Sequence, residues 1–243
     1  MGYPVVHFEV MSGQPLEAQK FYAELFGWKI DNQAEMGNYG MVDTQSGEGI
    51  NGGVGGSQDG STYVTFYVAV PNLEESLKTI ESLGGRKLMD PMEIPNVVTF
   101  AVFADPDGNM LGLVLDGEGP GVTKGDGVTV GWFEVLGNDG GKLRDFYSKA
   151  FGWQFEVSEQ MDYGTTDTGS GRGISGGVGK SQGEPTVTVY AGVDDLAKYL
   201  ERAESLGGTT VLEPMDVGEG TSIAAFRDPQ NNLFGLFKHV HPH

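Results

Sequence analysis

"ISGGVGKS", residues 174–181, is the stretch on which the fold turns. Read alone, Gly176, Gly177, Gly179, Lys180 and Ser181 look like the end of a phosphate-binding loop. Such a loop needs a further glycine where Ile174 stands, and an amphipathic helix directly behind it. Here Pro185 and the β-rich run "TVTVYAGV", 186–193, follow instead. The segment also has a twin, "INGGVGGS" at 50–57, with Gly56 in the place of Lys180. Both copies therefore read as a glycine-rich strand ending in a turn, where the backbone passes close to a neighbour or takes a positive φ.

The twin is one of many. "FEV" at 8–10 returns at 133–135, "FY" and "FGW" at 21–22 and 26–28 return at 146–147 and 151–153, and "ESLGG" at 81–85 returns at 204–208. "PM" at 91–92 and "DP" at 105–106 return at 214–215 and 228–229. The spacing between copies drifts only from 125 to 123 residues, so the chain is a tandem duplication. The expected domains are 1–117 and 128–243. The glycine-rich, polar stretch 118–127 serves as linker.

Each half repeats a smaller pattern. Residues 5–10 alternate as a strand. Ala18, Phe21, Tyr22, Leu25 and Phe26 form one helical stripe closed by Gly27, and Leu143, Phe146, Tyr147, Ala150, Phe151 and Gly152 repeat it. Strands are expected near 28–31, 38–43 and 49–55. The order then restarts with a strand at 62–70, a helix capped by Asn72 and Glu75 and stopped by Gly84, and strands near 86–90, 97–104 and 110–115. The turns "DPDGN" and "DPQNN" precede the last strand of each half. The reading is α+β: two tandem domains, each of two βαβββ modules (1–60 and 61–117; 128–183 and 184–240). Each domain forms a curved, cup-shaped mixed sheet with helices on its outer face.

Composition narrows the function. A formal net charge of −19 repels polyanions, so neither nucleic acid nor an anionic membrane suits this chain as a partner. With no cysteine there are no disulfides or thiolate metal sites. The N-terminus lacks the basic and apolar regions of a signal peptide, and no apolar run is long enough to span a bilayer. A cytoplasmic protein is expected.

These motifs resemble the vicinal oxygen chelate superfamily, which includes glyoxalase I, bleomycin-resistance proteins and extradiol dioxygenases. The carriers are "FYAELFGW" and "FYSKAFGW", "SLGG" after the second helix of each half, and "DPDGNMLGL" and "DPQNNLFGL". The resemblance implies paired modules around a cup-shaped cavity, and a pseudo-dimeric contact between the two domains in a monomer or homodimer. It also implies where a metal would sit in related enzymes: early on a module's first strand, on the fifth strand, and three residues after the turn asparagine. Those places hold Val5 and Val130, Thr65 and Thr188, and Gly112 and Gly235. A fourth falls in the glycine-rich strand near 50–56. No metal and no cofactor is therefore expected, beyond a weak two-ligand site at His7 and Glu9.

Alternation along the strands selects the site candidates. Val6, Phe8 and Val10 should pack beneath a helix, with Val5, His7 and Glu9 facing the cup. Val130, Trp132 and Glu134 match them in the second half. Glu9 and Glu134 are candidate polar anchors, or with His7 candidate catalytic groups. Thr65, Tyr67, Thr188 and Tyr190 complete the inward face, and Trp28, Trp153, Tyr39, Tyr163, Met92 and Met215 are expected to line the openings. This set suits a small-molecule ligand, apolar or aromatic. The alternative is a glyoxalase-type lyase or isomerase, or a hydroxylase or dioxygenase, acting through an atypical metal or acid–base chemistry. The tail "HVHPH", 239–243, is expected to lie outside regular structure.

Overall fold

The computed structural model of the chain describes residues 2–57, 59–117 and 121–239. The start of the expected linker (118–120), and His241 and His243 of the tail, lie outside the described residues. The first half runs β1 (Val5–Ser12), α1 (Pro15–Phe26), β2 (Lys29–Gln33), β3 (Tyr39–Asp43), β4 (Asn51–Gly56), β5 (Tyr63–Val70), α2 (Leu73–Ser82), β6 (Arg86–Ile94), β7 (Val98–Ala104) and β8 (Met110–Leu115). The second runs β9 (Thr129–Gly137), α3 (Gly140–Phe151), β10 (Glu156–Ser158), β11 (Tyr163–Thr166), β12 (Ser175–Lys180), β13 (Thr186–Gly192), α4 (Leu196–Ser205), β14 (Thr209–Gly218), β15 (Thr221–Arg227) and β16 (Leu233–His239). These are four βαβββ modules. His239 ends β16 and its Nδ1 lies 2.8 Å from the Thr221 hydroxyl, so His239 belongs to regular structure, contrary to the expectation.

Helix boundaries follow local chemistry. Asn72, Asp139 and Asp195 each accept a backbone N–H three residues on, at 3.0–3.1 Å, and so cap α2, α3 and α4. Pro15 opens α1, where its missing N–H costs nothing. Gly27 and Gly152 close α1 and α3 at φ 73° and 72°, a region open to glycine.

Each half forms one curled, eight-stranded mixed sheet, ordered β2-β3-β4-β1-β5-β8-β7-β6 and β10-β11-β12-β9-β13-β16-β15-β14. Strands β5 and β8, like β13 and β16, pair in parallel, and the outer strands pair antiparallel. No helix among the described residues is long and apolar enough to cross a membrane.

The compact units do not follow the halves. One gathers the described residues of 1–7, 65–120 and 132–187; the other gathers those of 8–64, 121–131 and 188–243. Each unit thus joins one module from each half. In the first, Phe66 of β5 meets Phe133 of β9 with ring centroids 4.7 Å apart, and Phe103 of β7 meets Phe151 of α3. In the second, Phe8 of β1 and Phe26 of α1 pack on Phe234 of β16, and Phe21 packs on Phe226 of β15. Burying each such ring contributes on the order of 2–3 kcal/mol. The helix-bearing faces are therefore the cores of the units. Phe8 and Val10 are fully buried there as the alternation requires, whereas Val6 is half-buried.

The repeated tyrosines and turns form one device. In the first unit the buried Asp105 accepts the N–H groups of Asp107 and Asn109, the Asn109 amide and the Tyr147 hydroxyl, all at 2.9 Å. Asn109 also donates to the Leu136 carbonyl at 3.2 Å. In the second unit Asp228 accepts from Gln230, Asn232 and the Tyr22 hydroxyl, and Asn232 donates to the Met11 carbonyl. The "FY" tyrosine of one half thus docks on the "DP" turn of the other. Burial raises the carboxyl pKa of both aspartates, and their hydrogen bonds oppose the shift. Burial, followed by the charge of the facing aspartate, raises both phenols well above their usual range. Removing either hydroxyl leaves a buried carboxylate short of a donor. Tyr147→Phe and Tyr22→Phe should each cost about 1–3 kcal/mol in urea denaturation. A cost below about 0.5 kcal/mol, typical of a neutral surface change, would contradict a buried interlock.

Candidate functional site

Because Phe66 and Phe103 point into the core, alternation places Thr65, Tyr67 and Phe100 on the opposite, helix-free face of the first unit. There His7 meets Tyr67 edge-on at 5.7 Å, and Tyr67 meets Phe100 at 6.1 Å. Met92 of β6 stands opposite Phe100 in the ladder and is exposed, so an apolar row crosses the sheet. Burial lowers the His7 pKa from 6.5 to about 4, so its imidazole is neutral at neutral pH. In the second unit the corresponding row runs from the exposed Met215 to Ile223 and Phe237, whose ring approaches the bare backbone of Gly192 and Gly131.

Tyr67 stands directly opposite Gly112 in the parallel β5–β8 ladder, and Tyr190 opposite Gly235 in β13–β16. A β-carbon on either glycine would overlap the facing phenol ring. The rings thus occupy the ground where the resemblance places a metal-binding acid. The other positions are equally closed. Thr65 and Thr188 are buried, and their hydroxyls donate to the carbonyls of Met110 and Leu233 at 2.8 and 2.9 Å. Val5 and Val130 are fully buried and bridge to Ile174 and Ile50. In β4, residues 52, 53, 55 and 56 are glycines. Among the described residues, no three His, Asp or Glu side chains converge on a common point. The residues present do not fit the superfamily's metal.

The acids lie elsewhere on β1 and β9. Glu9 is buried and accepts the Tyr39 hydroxyl at 2.8 Å; Glu134 is half-buried and accepts the Tyr163 hydroxyl at 3.0 Å. The tyrosines reach these acids over Gly53 and Gly177, where any side chain would collide with the phenol oxygen. This is the close approach behind the glycine-rich strand. Burial, then the Glu134 charge, raises the Tyr163 phenol strongly. Burial, then the charges of Glu9 and Asp59, push the Tyr63 phenol up to about 12.

Four sequence candidates change role. Trp28 and Trp153 belong to the cores, not to a ligand face. They are 3% and 1% exposed, are stacked on Tyr22 and Tyr147, and donate to the carbonyls of Val128 and Tyr3 at 2.8 and 2.7 Å. Thr65 and Thr188 face the expected side, but their hydroxyls are turned to the backbone. The sequence reading missed the pairing of Tyr39 and Tyr163 with the acids. The bare glycine strands were the available signal for that pairing.

Two outcomes follow from this geometry. Gly112→Ala should destabilise the chain by about 1–3 kcal/mol, and adding Tyr67→Ala should recover much of the loss. Strictly additive costs would contradict the ring-on-glycine contact. For His7, the unfolded chain binds more protons than the folded chain between pH 6.5 and about 4. Its contribution to stability is therefore full above pH 6.5 and is lost as the pH falls through that window. Denaturant midpoints at pH 7.5 and pH 4 should fall further for the native chain than for His7→Gln. Equal falls would contradict a buried neutral imidazole.

Comparison with known proteins places this geometry. Residues 129–236 match the Glyoxalase/Bleomycin resistance protein/Dioxygenase superfamily, and residues 7–114 match a glyoxalase-like domain. The anthracycline biosynthesis protein DnrV of Streptomyces peucetius is 27% identical, over 94% of this chain and 90% of its own. The putative glyoxylase CFP32 of Mycobacterium tuberculosis is 25% identical, over 91% and 89%. Among solved structures, the Mn(II)-bound glyoxalase of Novosphingobium aromaticivorans aligns at TM-score 0.71 and 11% identity, covering 99% of this chain and 83% of its own. Homoprotocatechuate 2,3-dioxygenase of Arthrobacter globiformis aligns at TM-score 0.72 and 10% identity, covering 98% and 80%. At these identities the structures speak for the fold alone. The chain belongs to the glyoxalase/bleomycin resistance/dioxygenase superfamily, as two tandem domains of it.

Proposed function

We propose that this chain is a cytoplasmic small-molecule-binding protein that holds an apolar or aromatic ligand on the helix-free faces of its curled sheets, without the superfamily's metal. The observation that carries this reading is the pair of phenol rings over Gly112 and Gly235. They put aromatic surface where related enzymes need an acid. Rows of aromatic and methionine side chains with a few fixed polar groups are the usual lining of a ligand site. Glu9 and Glu134, each oriented by a tyrosine hydroxyl, are its polar anchors.

A second reading is enzymatic: a lyase or isomerase of glyoxalase type, or a hydroxylase or dioxygenase. It is favoured by the relatives named as a glyoxylase and as an anthracycline biosynthesis protein. Here Glu9 or Glu134 would act as the base, with the hydrogen-bonded tyrosine returning the proton.

Native mass spectrometry of the chain isolated from its own cells separates the two. The binding reading expects a small-molecule adduct that survives dialysis against a chelator, with well under one transition-metal ion per chain. A stoichiometric metal whose removal releases the adduct would overturn it and promote the enzyme.

A further inference from the structure

The edge strands β6 and β14 are irregular at the same place. In the β6–β7 ladder Met89 pairs with Val102 and Met92 with Phe100, so one extra residue is inserted between the two pairs. In the β14–β15 ladder Leu212 pairs with Ala225 and Met215 with Ile223, with the same insertion. An unbroken register would set Pro91 opposite Phe100 and Pro214 opposite Ile223. The bulge instead brings the methionine of each "PM" pair onto the helix-free face. Bulges re-aim side chains in this way, and an edge strand tolerates the proline that has no N–H to give.

The two thioethers so placed are open to solvent. Met92 is 45% exposed and Met215 47%; among the described residues the one other exposed methionine is Met161, at 65%, in the turn after β10. Met11, Met36, Met41, Met89 and Met110 are half-buried. The chain has no cysteine, so methionine is its most oxidisable sulfur.

We propose that Met92 and Met215 are oxidative modification sites, and that their conversion to sulfoxides by hydrogen peroxide switches off the binding of an apolar or aromatic ligand to the faces they border. This rests on the small-molecule-binding reading and adds its regulation. The thioether sulfur attacks one peroxide oxygen. The O–O bond breaks, an S–O bond forms, the sulfur gives up two electrons, and the second oxygen leaves as water. A flexible apolar side chain thereby becomes a polar one. Its S–O group must shed water whenever an apolar ring covers it, and that costs affinity. Methionine sulfoxide reductases restore the thioether, so the change is reversible.

The test treats the full chain with increasing hydrogen peroxide and locates the sulfoxides by peptide mass spectrometry. The same samples are titrated with the fluorescent apolar probe N-phenyl-1-naphthylamine. Met92, Met161 and Met215 should oxidise before the half-buried methionines. The probe's affinity should fall at least about fivefold, and methionine sulfoxide reductase should restore it. Met161→Leu should lose affinity on treatment as the native chain does. The double variant Met92→Leu, Met215→Leu, compared with its own untreated sample, should change by less than about twofold. The proposal falls, and the binding reading stands, if Met89 or Met110 oxidises as early as Met92 and Met215, if affinity is unmoved once both are sulfoxides, or if the double variant loses as much as the native chain. If the probe does not bind the folded, untreated chain, the binding reading and the switch both fall.

Discussion

A phenol ring can lie flat across a β-sheet only where the neighbouring strand offers bare backbone. That constraint governs this protein. Tyr67 and Tyr190 rest on Gly112 and Gly235, and Tyr39 and Tyr163 pass over Gly53 and Gly177. One strand's glycine exists for the next strand's tyrosine. The first pairing fills the region where metal-dependent relatives of this fold place an acid, and the second delivers a hydroxyl to Glu9 or Glu134. The helix-free faces thus present aromatic surface and a hydrogen-bonded carboxylate, and among the described residues no three His, Asp or Glu side chains converge there.

A different tyrosine pair holds the chain together. Each compact unit is built from one module of either half, and a buried polar link inside it runs from an "FY" tyrosine to a "DP" turn aspartate. Around each link lies an aromatic core of phenylalanine, tryptophan and tyrosine rings with centroids 4.5–5.7 Å apart, the range in which edge-to-face and offset packing is favourable. The buried carboxylates are tolerable because each receives donors on both oxygens. Duplication made this economical: the same motif, written twice, supplies the tyrosine for one unit and the turn for the other.

Much of this was legible in the sequence. The internal repeat, the four modules, the caps at Asn72, Gly27 and Gly152, and the inward set of β1 all follow from periodicity and turn chemistry. Three things were not. Periodicity says which face of a strand or helix a residue occupies, not which partner it meets. The aromatic stripe of α1 therefore announced a core but not that Tyr22 reaches a turn some two hundred residues away. Trp28 and Trp153 read as ligand-lining residues because a tryptophan just after a helix can turn either way; their N–H groups found the carbonyls of Val128 and Tyr3, and they stayed inside. The glycine runs were read correctly as close approach, but a glycine does not say what approaches it.

The central claim is that aromatic rings, not a metal, occupy the inner ground of both sheets. The most direct measurement is the electron paramagnetic resonance spectrum of Mn(II) mixed with an equimolar amount of the intact chain. The account predicts the full six-line signal of the hydrated ion, undiminished by the protein. Loss of about one equivalent of that signal per chain, reversed by a chelator, would show a well-coordinated site and contradict it.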